Sequence, residues 1–199
     1  MNNTTKKYYD EKAIEYVGNT ANIDFSDLYK RLDQYIVSSE SILDIGCGSG
    51  RDAFYFANKG IKVTAIDFSE NIINEAKKVN NHNNIKYLVA DILSYKTDKN
   101  YDLIWANASL LHLKKDMLVE ALKSIKNMLS PKGYFYSCFK KGNNSEIDNL
   151  GRYFAYYEED ILRSIFEELD FKIDEFFISY DKTGRNVTWL NIIVSRNSL

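Results

Sequence analysis

The sequence is poor in the residue types that special chemistries require. It has one proline, two cysteines and two histidines in 199 residues. Cys47 and Cys138 stand far apart and form no C-x-x-C pair, so neither a disulfide framework nor a zinc site is expected. Both read as small, reduced, partly buried residues. With His82 and His112 the only imidazoles, no other metal centre is expected either. No window approaches the roughly 18 apolar residues that a membrane helix needs. The polar first ten residues lack the apolar stretch of a secretory signal. A cytoplasmic protein without membrane contact is expected. Positive charge is also in short supply: the net charge is −2, so no global field draws the chain to nucleic acid. The lysine pairs at 6–7, 77–78, 114–115 and 140–141 are dispersed and read as solvated faces, not as a phosphate-tracking stripe.

What is present is an alternation of short apolar runs with amphipathic stretches. Residues 41–45 form a buried strand that enters the turn Gly46-Cys47-Gly48-Ser49-Gly50, and residues 52–59 carry helical spacing that stops at Gly60. A second strand, 61–67, precedes a helix at 70–78 capped by Ser69. Strands follow at 85–90 and 101–106, then a helix at 116–129, a Pro131-Lys132-Gly133 turn and a strand at 134–139. A polar loop is expected at 140–149, a helix at about 158–169, and strands at 171–180 and 187–195. Two helical stretches, 8–17 and 25–36, come first. Such alternation predicts an α/β fold with a mostly parallel sheet of seven strands and helices on both faces. The link at 181–186 is too short for a crossover, so the last strand must run antiparallel. There are no repeats and no linker, and residues 1–199 read as one domain.

The glycine turn carries the first functional signal. A strand, then G-x-G-x-G, then a helix lets backbone approach a ligand and offers free N–H groups. Asp67 ends the next strand 21 positions after Gly46, where a carboxylate can hold both ribose hydroxyls of an adenosine. Asp91 brings a second carboxylate to the same edge. A dinucleotide fingerprint would place glycine or alanine at position 51, which is Arg51. Asp44, just before the glycines, would repel a pyrophosphate and favour an amine or a sulfonium.

Taken together, these segments resemble the class I S-adenosylmethionine (SAM) dependent methyltransferases. Residues 43–51 look like their first motif, 65–69 their second, 90–92 their third, 101–107 their fourth, and Leu129-Ser130-Pro131-Lys132-Gly133 their post-IV turn, with Lys132 in place of a glycine. The resemblance spans residues 41–140 and implies a Rossmann-like class I methyltransferase fold. It implies that SAM is the cofactor and S-adenosylhomocysteine the product, with no metal. It also implies that Gly46, Gly48 and Gly50, with Asp44, Cys47 and Arg51 around them, flank the methionine part. Asp67 would hold the ribose, Phe68 would lie against adenine, and Asp91 with Ile92 would bind its amino edge. Asn107 would line the methionine side. The pair Arg51-Asp52 and the segment Gly151-Arg152-Tyr153-Phe154 are similar to small bacterial methyltransferases near the tellurite-resistance group. The exocyclic-amine motif of DNA methyltransferases is absent at 106–109, as is the Pro-Cys nucleophile of cytosine C5 enzymes.

Methyl transfer needs positioning more than acid–base machinery. His112, just after the fourth strand, is the candidate base, with a helix-start cap as the competing reading. Arg152 and Tyr153 in the substrate-side segment 140–157, and Trp189 on the last strand, are candidate acceptor contacts. The helical stretch 1–38 is a candidate lid. Within it Tyr16 is placed against the sulfonium, while Tyr8 and Tyr9 read as core packing. The acceptor is expected to be a small molecule, methylated on oxygen, nitrogen or sulfur, and the chain a monomer or homodimer. Two alternatives stay open: a tRNA wobble-base methyltransferase with a basic partner subunit, and a SAM-binding protein without transfer activity.

Overall fold

The computed structural model describes residues 3–197. Strands β1 (Ser41–Ile45), β2 (Lys62–Asp67) and β4 (Tyr101–Ala106) are buried along nearly their whole length. They are covered on both faces, which is why they read as continuous apolar runs. β3 (Ile85–Val89), at the sheet edge, is only partly buried. β5 (Leu129–Lys141) pairs with β4 in parallel and with β9 (Thr188–Arg196) antiparallel, and β9 pairs antiparallel with β8 (Phe171–Tyr180). The order β3-β2-β1-β4-β5-β9-β8 is the seven-stranded, mostly parallel sheet expected, with β9 as its antiparallel strand.

Helices cover both faces. On one, α7 (Lys115–Met128) and α8 (Glu159–Glu168) bury Leu118, Leu122, Ile125 and Phe166 against Leu43, Ile104, Phe135 and Ile192. On the other, α5 (Arg51–Asn58) and α6 (Glu70–Val79) bury Phe56, Ala57 and Ile73 near Ile42, Leu103, Trp105 and Tyr136. Ser69 caps α6 as expected, its hydroxyl oxygen accepting the Ile72 N–H at 3.2 Å. Among the described residues no helix is long and apolar enough to cross a membrane.

Two segments depart from the sequence expectation. The N-terminal region is four short helices, not two: α1 (Asn3–Glu11), α2 (Ala13–Thr20), α3 (Ser26–Arg31) and α4 (Asp33–Val37). The chain leaves helical geometry at Lys12 (φ −109°, ψ 16°) and Leu32 (φ −97°, ψ 11°). Beside the first break, Asn71 Nδ2 donates to the Asp10 carbonyl and Ser69 Oγ to the Asp10 carboxylate, which docks α1 on the start of α6. The expected loop at 140–149 instead extends β5 to Lys141 and adds β6 (Ser145–Ile147), which pairs with β7 (Tyr153–Tyr157). The sheet thereby gains two strands, nine in all. Hydrophobic alternation does not announce β6, because its side chains are exposed on an edge, where backbone pairing needs no apolar face.

Candidate active site

The carboxyl ends of β1, β2 and β4 open on one side of the sheet, where strand order reverses between β1 and β4. A cavity, partly open to solvent, lies there. Its wall includes Gly46 and Gly48 of the glycine turn, Asp67 and Phe68 after β2, Asp91 and Ile92 after β3, and Asn107, Ala108, Ser109 and His112 after β4. Tyr9 and Tyr16 close it from the N-terminal helices. Among the described residues, no lysine or arginine lines it.

The glycines serve different ends. Gly48 (φ +53°) faces Tyr16, and a Cβ there would come within 3.3 Å of that ring. Gly50 (φ +73°) faces away from the cavity, and its Cβ would meet the Tyr87 hydroxyl at 2.2 Å. That hydroxyl is fixed by the Asn80 carbonyl, and Asn80 Nδ2 returns to the Ser49 carbonyl. Gly50 therefore lets the turn pack on β3. Cys47 is buried outside the wall, and burial pushes its thiol well above the usual range.

Asp67 is buried, and its two oxygens accept the Ser69 N–H at 3.0 Å and the Gly48 N–H at 3.2 Å. Burial dominates these bonds and raises its carboxyl to about 6. Asp44 lies beneath the glycines outside the cavity wall, with burial and the nearby Asp52 raising its carboxyl far above the usual range. Its Oδ2 has no hydrogen-bond partner among the described residues. Asp91 Oδ1 accepts the Leu93 N–H at 3.0 Å, which fixes the turn after β3.

Arg51 turns away from the cavity. Its Nε donates to Asp52 at 2.7 Å and its guanidinium lies 4.0 Å over the Phe25 ring. Asp52 is the centre of a buried network that also takes the Tyr29 hydroxyl at 2.5 Å, the Trp105 indole at 2.8 Å and the Asn107 amide at 2.9 Å. Asn107 is thus held by Asp52, and its Oδ1 accepts the Cys138 thiol at 3.2 Å. Ala108 follows with φ +57°, its N–H on the Cys138 sulfur at 3.1 Å. This bend carries Ser109 over Gly46, where the hydroxyl donates to the Ile45 carbonyl at 2.6 Å.

His112 has both ring nitrogens engaged. Nδ1 lies 2.6 Å from the Tyr153 carbonyl, which can only accept, so Nδ1 carries the proton and Nε2 accepts the Tyr9 hydroxyl at 3.0 Å. Burial lowers the imidazole to about 4, far from the 6–7 that a neutral-pH base would show. The ring is neutral at pH 7 and ties α1 to β7. The folded-state value lies below the unfolded one, so the unfolded chain takes up the proton first on acidification. This contribution to stability is complete above about pH 6.5 and is lost towards pH 4, for a change of roughly 3 kcal/mol. Urea unfolding at pH 7 and pH 4.5 should show His112→Gln losing less stability on acidification than the wild type by roughly 2 kcal/mol. Equal losses would mean that the ring titrates normally.

The remaining candidates lie outside the cavity wall. Arg152 donates from Nε and Nη2 to Asp148 Oδ2, at 2.8 and 2.6 Å, and its guanidinium is 4.7 Å over the Tyr8 ring. Tyr153 contributes backbone: its carbonyl holds His112, and its N–H donates to the buried Thr5 hydroxyl at 2.9 Å. Trp189 is half-buried between the two core faces, opposite Lys140 in the β5–β9 ladder. Tyr9, which reads as core packing, lines the cavity, as do Ala108 and Ser109 beside Asn107. The short spacing of Tyr8, Tyr9 and Tyr16 was the one signal for the first of them.

Residues 42–133 match the family described as "Methyltransferase domain". They contain the glycine turn and both strand-end carboxylates of the cavity. Over this stretch the chain is similar to SAM-dependent methyltransferases. The chain is 33% identical over 102 residues to TehB of Haemophilus influenzae, named a probable S-adenosyl-L-methionine-dependent methyltransferase, a match covering 50% of this chain and 35% of that one. It is 30% identical over 157 residues to phosphoethanolamine N-methyltransferase 1 of Arabidopsis thaliana, covering 71% of this chain and 32% of the relative. The chain thus spans about a third of the length of these curated relatives. In fold it superposes on the 1,6-didemethyltoxoflavin-N1-methyltransferase of Burkholderia thailandensis, crystallised with bound 1,6-didemethyltoxoflavin and S-adenosylhomocysteine. The TM-score is 0.80 at 16% identity, covering 98% of this chain and 88% of that one.

Proposed function

We propose that this protein moves a methyl group from SAM to an oxygen, nitrogen or sulfur atom of a small molecule. The observation that carries this reading is a cavity at the switch point of the sheet, walled by a glycine turn and two carboxylates and, among the described residues, by no cationic side chain. Such a wall disfavours a pyrophosphate and suits a ligand bearing an amine and a sulfonium. When bound, SAM supplies a methyl group already activated as a leaving sulfonium's substituent. The chain's own residues bind and orient. Asp67 would take the ribose hydroxyls, Phe68 would lie against adenine, and Asp91 with Ile92 would bind its amino edge. Gly46 and Gly48 admit the methionine part close to backbone. Asp44, its Oδ2 unpartnered beneath the turn, offers a hydrogen-bonding oxygen behind the amine. Tyr16 offers an aromatic wall to the sulfonium.

Two segments would exclude water and admit the acceptor. Residues 1–38, of which 3–38 are described, would form the lid, and residues 140–157 would pack on it from the substrate side, behind the cavity wall, within a single domain. Two contacts join them directly, Thr5 to Tyr153 and Arg152 over Tyr8, and His112 bridges them by holding Tyr9 and the Tyr153 carbonyl. His112 serves here as a positioning residue that pins Tyr9, and no base is required of it. Enclosure by both segments supports a compact acceptor, as do the named acceptors of its relatives. We place the enzyme in the cytoplasm as a monomer or homodimer.

The test is to add the protein and methyl-labelled SAM to an extract of its own cells. One labelled compound of low mass, formed only with the active protein, is expected. Label on tRNA, or tight SAM binding with no labelled product from any pool, would contradict the reading.

A further inference from the structure

Lys140 stands at the carboxyl end of β5 and is only 8% exposed. Its ammonium lies 3.6 Å from the centre of the Phe154 ring and 5.2 Å from that of Tyr156. It donates weakly to the Tyr156 hydroxyl at 3.4 Å, and no carboxylate lies within ion-pair distance among the described residues. Arg152 sits 5.1 Å from the same Phe154 ring centre. The other charges facing Lys140 are Arg185 in the β8–β9 turn, Asp148, which Arg152 engages, and Glu146, which receives the Tyr156 hydroxyl. Buried lysines are ordinarily paired, since an isolated buried charge is costly. Burial, with Arg185 beside it, pulls this ammonium below the ordinary lysine range. An arriving anion would relieve that cost. The place is relevant to the reaction: the Phe154 ring packs 4.8 Å from the His112 ring, and His112 lines the cavity.

We infer that the methyl acceptor carries an anionic group, a carboxylate or a phosphate, that docks on Lys140 and Arg152 while its accepting atom lies beside Tyr9 and His112. This rests on the methyltransferase reading and gives its acceptor a chemical class. It also assigns a task to two cations that the cofactor end does not use. Arg152 is held by Asp148 in a geometry that leaves the rest of its guanidinium fork for a ligand. Lys140 adds a point charge from the sheet side.

The probes are inorganic phosphate and acetate, titrated into the full chain with and without saturating S-adenosylhomocysteine. Trp189, opposite Lys140 in the ladder, reports through its fluorescence. Saturable binding of at least one anion is expected, and the stronger one tells phosphate from carboxylate. Lys140→Met should weaken that binding by about tenfold or more, with S-adenosylhomocysteine affinity kept within about threefold. Arg152→Gln should weaken it too and serves if Lys140→Met does not fold. Anion affinity unchanged in both variants, or no saturable response to either anion in the wild type, would overturn the inference. A failure of S-adenosylhomocysteine to bind would instead strike the cofactor reading, which the nucleoside titration alone decides.

Discussion

Asp52→Ala is expected to lower stability by about 3–5 kcal/mol, with the fold retained only marginally. Asp52 lies in the first turn of α5 and is 5% exposed. It takes hydrogen bonds from Tyr29, Arg51, Trp105 and Asn107. Arg51 and the other donors hold its carboxyl below the usual range despite burial. Removing it leaves the half-buried Arg51 guanidinium without its carboxylate and three buried donors without an acceptor. Asp52→Asn keeps an acceptor but not the charge, and should cost less. Urea unfolding at pH 7 measures both. The same network joins α3 through Tyr29 to the cavity through Asn107, so Asp52→Asn should also weaken S-adenosylhomocysteine binding. A loss under about 1 kcal/mol for Asp52→Ala would show the network to be dispensable.

Asp67→Ala should keep the fold and lose the ligand. Its folded-state pKa of about 6 lies above the unfolded value, so above pH 6 the ionised carboxylate opposes folding, by roughly 3 kcal/mol at pH 7. That cost is borne at the cavity wall, where a charged acceptor is useful. S-adenosylhomocysteine affinity should fall by about 1.5–3 kcal/mol, which is about ten- to a hundredfold. Wild-type affinity should also weaken as pH drops below about 6, because protonation removes the acceptor, and the Asp67→Ala variant should lose that part of the pH dependence. Unchanged affinity in the variant would remove Asp67 from the ribose.

The parts of the molecule that the sequence announces are those where one residue has one physical task. Buried strands such as residues 41–45 and 101–106 must be apolar on both faces, and Gly46 and Gly48 must admit close approach. Asp67 ends a strand at an edge where ligands bind. These are legible because the requirement acts within a few residues. The lid and the acceptor side were less so. Tyr9 reads as core packing until its hydroxyl is seen on His112, 103 residues away. His112 reads as a base because nothing in Leu110-Leu111-His112-Leu113 reveals that the Tyr153 carbonyl takes its Nδ1 proton. Arg51 adjoins the glycines in sequence, yet helix geometry at α5 points it towards Phe25. β6 escaped notice because an exposed edge strand carries no hydrophobic pattern. Each of these depends on a partner distant in sequence or on backbone alone.

The central claim is that the cavity holds SAM and not a dinucleotide. Calorimetric titration of the purified chain at pH 7.5 with S-adenosylhomocysteine and, separately, with NAD tests it most directly. The account predicts one saturable site for S-adenosylhomocysteine in the micromolar range and no heat of binding from NAD. Micromolar NAD binding with none for S-adenosylhomocysteine would contradict it.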